Sequence, residues 1–257
     1  MNFHVVTTCA AKHWAQYGRR MAESFIQRWT PNASLTVYAE GFEVDVEGVA
    51  VRQLPEWLNA FKAEHGRDPA KNGDRPGGYH YIFDAVRFSH KVAAMTDFSQ
   101  TLTDGIMIWL DADTFTHSDV TDEWLASLFP ASGYIAWLDR KNAYPETGMI
   151  FFNVAHPFHV KLMARLEDFY TSGKVFGLAQ THDAFVIKHL VDEAFAERKI
   201  PQPVSLSGRA VRTSHPFACG PLSSRLDHAK GARKNVGRTP KSERSWFIRD
   251  SNPYWAA

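Results

Sequence analysis

Cysteine is scarce in this chain: Cys9 and Cys219 are the two present in 257 residues. Two thiols cannot build a disulfide framework, so both read as buried free thiols in a reducing compartment. No apolar run approaches the roughly 18 residues of a membrane-spanning helix, so no transmembrane segment is expected. The opening residues Met1-Asn2-Phe3-His4-Val5-Val6 lack a basic stretch and run directly into a strand pattern. A signal peptide is therefore not expected, and a cytoplasmic location is. Internal repeats and low-complexity linkers are missing as well.

Net charge is also scarce, but its near-balance hides an asymmetry. The totals are Lys+Arg 29 against Asp+Glu 28, a formal +1. Between Arg225 and Arg249 stand eight Lys/Arg against Asp227 and Glu243, so this segment carries +6 and the remainder −5. A basic segment of this kind suits a polyanion, whether a diphosphate or nucleic acid.

What is present is an ordinary globular composition, 44% hydrophobic and 22% charged, long enough to bury a substantial core. Apolar runs and helical periodicities alternate, as in α/β proteins. Strands are expected at 2–8, 34–39, 49–54, 106–110, 132–139 and 147–153. Helices are expected at 14–29, 55–65, 81–96, 119–129 with Asp119 as its cap, 157–172 and 182–198. The stretch 66–78, rich in Gly, Pro, Asn and Asp, reads as a mobile loop. The chain turns irregular after about Ile200.

The strand Ile106-Met107-Ile108-Trp109-Leu110 ends in Asp111-Ala112-Asp113. On an extended backbone, carboxylates at i and i+2 point the same way. At the carboxyl end of a buried strand they would face the crevice where open α/β sheets bind ligands. Two hard oxygen donors there suit Mg²⁺ or Mn²⁺ with substrate phosphates completing the shell; turn-forming aspartates at a strand end are the alternative. Far along the chain, His228-Ala229-Lys230-Gly231-Ala232-Arg233-Lys234 combines a metal-competent imidazole, a glycine that admits close approach of a phosphate, and a lysine point charge.

Taken together and in this order, the D-x-D and the H-x-x-G-x-x-K resemble the paired motifs of metal-dependent nucleotide-sugar glycosyltransferases, of the glycogenin and bacterial lipopolysaccharide-galactosyltransferase type. The resemblance implies one GT-A domain over 1–257: an α/β, Rossmann-like fold with a mixed, mostly parallel central sheet flanked by helices. The irregular basic segment from about 200 to 257 would close over the donor diphosphate. It implies Mn²⁺ (or Mg²⁺) on Asp111, Asp113 and His228, and a nucleotide-sugar donor, UDP-sugar by family habit. Gly231 and Lys234 would meet the diphosphate, with Arg233 or Arg87 nearby. Arg87 and Lys91, an i, i+4 pair, fall where the family places a base contacting the donor; a solvated basic face is the plain alternative.

The resemblance further places the sugar against Glu146 and Gly148 of Tyr144-Pro145-Glu146-Thr147-Gly148, the glycine leaving room for a hexose. Asp183, at a helix start where an acid is favoured in any case, would contact sugar and acceptor. Asp183 and Glu146 are the candidate catalytic carboxylates. Thr7 and Thr8, with Cys9, would follow the first strand and line the nucleotide pocket. Retention of anomeric configuration is implied. Two departures touch the acceptor side more than the donor side: no Pro-Trp follows Lys234, and His182-Asp183-Ala184 stands where relatives carry an aspartate-glutamine pair. The acceptor is expected to be a saccharide or another hydroxyl compound; the +6 segment also admits a hydroxymethylated DNA base. A metal-dependent nucleotidyltransferase or phosphohydrolase, and a degenerate binding module on the same fold, are the competing classes.

Overall fold

Strands that are apolar at every position, rather than at alternate ones, fit a sheet covered on both faces. The computed structural model, which describes residues 1–208, 215–240 and 253–256, has such a sheet. In chain order the elements are β1 (Phe3–Ala10), α1 (Ala11–His13), a π-helical turn Trp14–Gly18, α2 (Arg19–Arg28), β2 (Ala33–Glu40), β3 (Ala50–Arg52), α3 (Glu56–His65), β4 (Asn72–Arg75), β5 (Gly78–Asp84) and α4 (Ala85–Ser99). There follow β6 (Ile106–Leu110), β7 (Thr114–Thr116), α5 (Asp122–Leu128), β8 (Ile135–Leu138), β9 (Glu146–Asn153), α6 (His159–Thr171), α7 (Asp183–Ala196), β10 (Val204–Ser205) and β11 (Leu226–His228). Short 3-10 turns and a helical turn Pro253–Ala256 complete the described residues.

The seven-stranded sheet runs β10-β8-β9-β6-β1-β2-β3. It is mixed and mostly parallel; β9 is antiparallel to both of its neighbours, β6 and β8. Alternation along each strand assigns its residues to two cores. Val6, Met107, Trp109, Ile150 and Phe152 pack with α4, α6 and α7 on one face. Val5, Ile108, Leu110, Met149 and Phe151 pack with α2, α5 and Leu226 on the other. β6 is central and buried throughout, so its end fixes Asp111 and Asp113 against rigid neighbours.

Several expectations are corrected. Residues 72–84 form a hairpin, where a loop and the start of a helix were expected. Pro76-Gly77 makes its turn, with Gly77 and Gly78 at φ 99° and 119°, and a bulge lies at Gly73. The helix after it starts at Ala85 because the Asp84 carboxylate accepts from the Arg87 amide (2.8 Å). Helix α5 is capped by Thr121, whose hydroxyl accepts from the Trp124 amide at 3.2 Å; Asp119 instead pairs with Arg28 at the surface. β3 is shorter than expected and lies at the sheet edge. Thr7 and Thr8 lie inside β1, which continues to Ala10. Of the basic 225–249 segment, Lys241, Glu243, Arg244 and Arg249 lie outside the described residues. Cys9 is buried and Cys219 half-buried, with no disulfide between them, and no helix among the described residues is long and apolar enough to cross a membrane.

The core also carries a pH liability. His159, 1% exposed, sits between Ser99 and Tyr134, and burial pushes its imidazole down to about 4. Half-buried His117, stacked on Tyr254, is likewise lowered by burial to about 4. In the unfolded chain both protonate near 6.5, so their contribution is complete above that value and is lost as pH falls towards about 4. Each costs up to roughly 1.4 kcal/mol per pH unit in that window. Urea melts between about pH 7 and about pH 5 should therefore show falling stability, with a shallower slope in His159→Gln. A midpoint constant across that window would contradict the assignment.

Candidate active site

Asp111 and Asp113 do not project from an extended strand, as their spacing alone suggests. β6 ends at Leu110, and the backbone turns: the Asp111 amide donates to Gly148 O (2.8 Å) and Thr114 N to Asp111 O (3.0 Å). The two carboxylates nevertheless converge, because β11 brings His228 alongside. β11 pairs antiparallel with β7, setting His228 opposite Thr114, and Ala229 N donates to Asp113 O at 2.9 Å. A short strand in a segment that reads as irregular thus carries the third member of the cluster.

His228 Nε2 lies 2.9 Å from Asp113 Oδ1 and 3.7 Å from Asp111 Oδ2. One potential ligand atom from each of the three residues falls within 4.8 Å of the others. The remaining carboxylate oxygens are held from behind. Asp113 Oδ2 receives Lys234 Nζ at 2.9 Å. Asp111 Oδ1 receives Lys91 Nζ at 3.2 Å and the Trp109 indole N–H at 2.6 Å. Each acid therefore presents its free oxygen to the imidazole nitrogen. Cis ligands on an octahedral ion with bonds of about 2.1 Å stand about 3.0 Å apart, so the donor set and spacing fit Mn²⁺ or Mg²⁺.

Burial would raise the Asp113 carboxyl, but His228 and Lys234 outweigh it and hold it well below the usual carboxylate range. Burial would lower His228; Asp113, Asp111 and Glu146 together raise it. The imidazole Nδ1 has no hydrogen-bond partner among the described residues, so packing sets the ring. A Cβ on Gly148 would stand 2.8 Å from His228 Cε1, 3.0 Å from its Nδ1 and 3.1 Å from Phe217 Cε2. The room a side chain at Gly148 would need is thus taken by His228 and Phe217. Gly148→Ala should displace the His228 ring that packs on it and weaken any Mn²⁺ affinity of the cluster about 10–100-fold, read from the free-Mn²⁺ paramagnetic resonance signal. Unchanged affinity would show that the ring yields without cost.

Lys91 is buried and surrounded by acceptors: Asp111, Asp183 Oδ2 at 2.9 Å and the Thr147 carbonyl at 2.5 Å. These account for the three donors an ammonium has. Desolvation lowers the Lys91 pKa, and the two aspartates more than reverse it, leaving it raised. Asp183, first residue of α7, also accepts from Thr147 Oγ1 at 2.7 Å. Burial would raise its pKa, but Lys91 and His182 hold it lowered. Lys91 therefore ties Asp111 to Asp183, a bridge that separate sequence motifs could not disclose. Its i, i+4 partner Arg87 points elsewhere, donating to Tyr79 OH at 3.2 Å.

Glu146, buried at the start of β9, forms an ion pair with Lys230. Desolvation would raise its pKa; Lys230 and His228 prevail and lower it. Lys230 carries no motif role in the sequence, and proximity of residue 230 to residue 146 is a purely tertiary fact. Lys234 also reaches Tyr17, 3.4 Å to the hydroxyl and 4.6 Å to the ring centroid. Gly231 adopts φ +63° with open space where a Cβ would stand. Lys230 and Lys234 thus each pair with an acid of the site while staying partly open to solvent. At the ends of β1 and β2, Thr8 Oγ1 donates to Tyr38 O and Glu40 (both 3.0 Å), and Glu40 meets His90 at 2.9 Å. Thr7 is fully buried, and burial, Glu40 and Asp113 push the nearby Cys9 thiol up to about 12.

No family model matches this sequence, and no curated protein does. Among solved structures, apo mouse xyloside xylosyltransferase 1 is similar at 11% identity over 80% of this chain and 86% of that one, with a TM-score of 0.46. Galactosyltransferase LgtC in complex with donor and acceptor sugar analogs is similar at 14% identity over 72% and 70%, with a TM-score of 0.42. The glycosyltransferase GlyE of Streptococcus pneumoniae TIGR4 is similar at 12% identity over 80% of this chain and 46% of its own, with a TM-score of 0.47.

Proposed function

We propose that this chain is a divalent-metal-dependent glycosyltransferase, moving a sugar from a nucleoside diphosphate sugar to an acceptor hydroxyl. The observation that carries the reading is the convergence of Asp111 Oδ2, Asp113 Oδ1 and His228 Nε2, each carboxylate held from behind by a buried or half-buried lysine. A divalent ion, Mn²⁺ or Mg²⁺, on these three residues would supply Lewis-acid neutralisation of the departing diphosphate. UDP-sugar is the first donor to test, on the strength of the motif resemblance.

The protein's own residues do the rest. Lys234, with Gly231 allowing close backbone approach, supplies fixed positive charge for phosphate oxygens; the segment after residue 200 brings both to the site. Arg87 adds a second cation on the side of Tyr17 and Tyr79. Thr7, Thr8 and Cys9, at the carboxyl end of β1, line the proposed base side. Glu146 and Asp183 stand on the sugar side, where their oxygens orient hydroxyls. Both are held below their ordinary pKa by their lysine partners, and retention of configuration is the outcome to test first, on the strength of the motif resemblance. Lys91 is a positioning residue, holding Asp111 and Asp183 in one geometry.

The test is thermal stability against UDP, GDP, CDP, ADP and their sugar conjugates, with and without Mn²⁺. A ligand at a hundred times its dissociation constant should add about 2.7 kcal/mol. The expected result is a Mn²⁺-dependent shift with one nucleotide and its sugar. No Mn²⁺-dependent shift with any of them would overturn the proposal, and cleavage of the diphosphate itself would point to a phosphohydrolase or nucleotidyltransferase.

A further inference from the structure

Beside Asp183 stands an aromatic assembly that neither the metal cluster nor the phosphate side uses. Tyr144 lies in the loop between β8 and β9, two residues before Glu146. Its ring is backed by the Arg140 guanidinium at 4.5 Å and meets the His182 ring at 4.3 Å and 62°. Arg140 fixes the loop, donating to the Tyr144 carbonyl at 2.8 Å and to Pro145 O at 3.5 Å. Tyr81 comes from the other direction, on β5 of the hairpin, and is 48% exposed. The two hydroxyls meet at 2.5 Å. Tyr81 and Phe88 also approach His182, each with ring centroids 5.8 Å away. His182 is buried, shares a 2.9 Å contact with Gln180, and immediately precedes Asp183.

We propose that Tyr81 and Tyr144 form the acceptor subsite, and that the acceptor is a saccharide whose pyranose face lies on the Tyr144 ring. This rests on the glycosyltransferase reading. Position comes first: contacts run from Tyr144 through His182 to Asp183, and from Asp183 through Lys91 to Asp111. Chemistry comes second. An aromatic face with a hydroxyl at its rim matches a sugar ring, which has a C–H face and a rim of hydroxyls that both donate and accept. The Tyr81–Tyr144 hydroxyl contact is one that sugar hydroxyls can replace on both sides. A DNA acceptor would need cations turned towards phosphates. Arg140 is turned inward onto two backbone carbonyls instead.

The experiment is saturation-transfer NMR on the full chain with Mn²⁺ and UDP, using methyl glucosides, methyl galactosides, lactose and maltose as probes. The same sample with a single-stranded oligonucleotide carrying 5-hydroxymethylcytosine is the comparison. At least one saccharide should receive saturation on its C–H face from aromatic protons. Tyr144→Ala should weaken that binding about tenfold or more, and Tyr144→Phe should retain most of it. The Mn²⁺-dependent affinity for UDP serves as the control for folding and for the donor site, and should change little in either variant. Saccharide binding unchanged in Tyr144→Ala, binding by none of the sugars, or a Tyr144-dependent signal from the oligonucleotide alone would each overturn the inference. Absence of Mn²⁺-dependent UDP binding in the unmutated protein would instead count against the underlying function.

Discussion

Asp113→Ala is expected to lower sugar transfer by about 10³-fold at saturating donor. The residue contributes twice: Oδ1 faces His228 Nε2 at 2.9 Å, and Oδ2 anchors Lys234 at 2.9 Å. Removing it takes away one of the three candidate ligands and leaves His228 and Lys234 without the acid that keeps them together. On the proposed mechanism, a divalent ion held by one residue fewer would give less Lewis-acid assistance and lower kcat, and loss of the Lys234 anchor would raise KM for donor. Asp113→Asn separates the chemistry from the packing, since it keeps the shape and removes the charge. Both variants should lose the Mn²⁺-dependent thermal shift with nucleotide, and Asp113→Asn, which leaves Lys234 and His228 without their buried counterion, should also melt below the unmutated protein. Full transfer by Asp113→Ala without added metal would eliminate the proposed centre.

Lys91→Met carries the largest expected effect on stability. The ammonium is buried, with Asp111, Asp183 and the Thr147 carbonyl around it. Methionine keeps most of the volume but leaves Asp183, 3% exposed, without its ion-pair partner. Breaking a buried pair from one side costs about 3–5 kcal/mol, which for a chain of this length lowers the melting temperature by roughly 10 °C. The double variant Lys91→Met/Asp183→Asn should recover part of that loss, because the orphaned charge is gone. It should not recover transfer, because Asp111 still lacks the Lys91 ammonium and Asp183 has lost its charge. A single variant that melts like the unmutated protein would refute the buried-pair account.

The two cores, the buried β6 and the pair of motifs were legible because they depend on local rules. Period-2 alternation assigns Met107 and Trp109 to one face and Ile108 to the other wherever the strand lies in the sheet. The hairpin at 72–84 was not legible. Its Gly and Pro content marks turns equally well in loops and in tight hairpins, and what selects the strand is antiparallel pairing across Pro76-Gly77. Asp119 and Thr121 are both competent caps by residue type, and the start of α5 decided for Thr121.

For the site, the sequence by itself determined the residue types: two acids at a strand end, a distant histidine, and a glycine and lysine at fixed spacing from it. Those are properties of side-chain chemistry and local spacing. Tertiary structure alone decided what each does to the others. The pairing of β11 with β7 closes a gap of more than a hundred residues, and only then do Asp111, Asp113 and His228 share one centre. The same closure fills the space above Gly148 with an imidazole and gives Glu146 its counterion in Lys230, while the placing of α4 beside the end of β6 and the start of α7 makes Lys91 a buried bridge between two acids. Charge partners and excluded volume are set by distances between segments remote in the chain, and no local pattern encodes those distances.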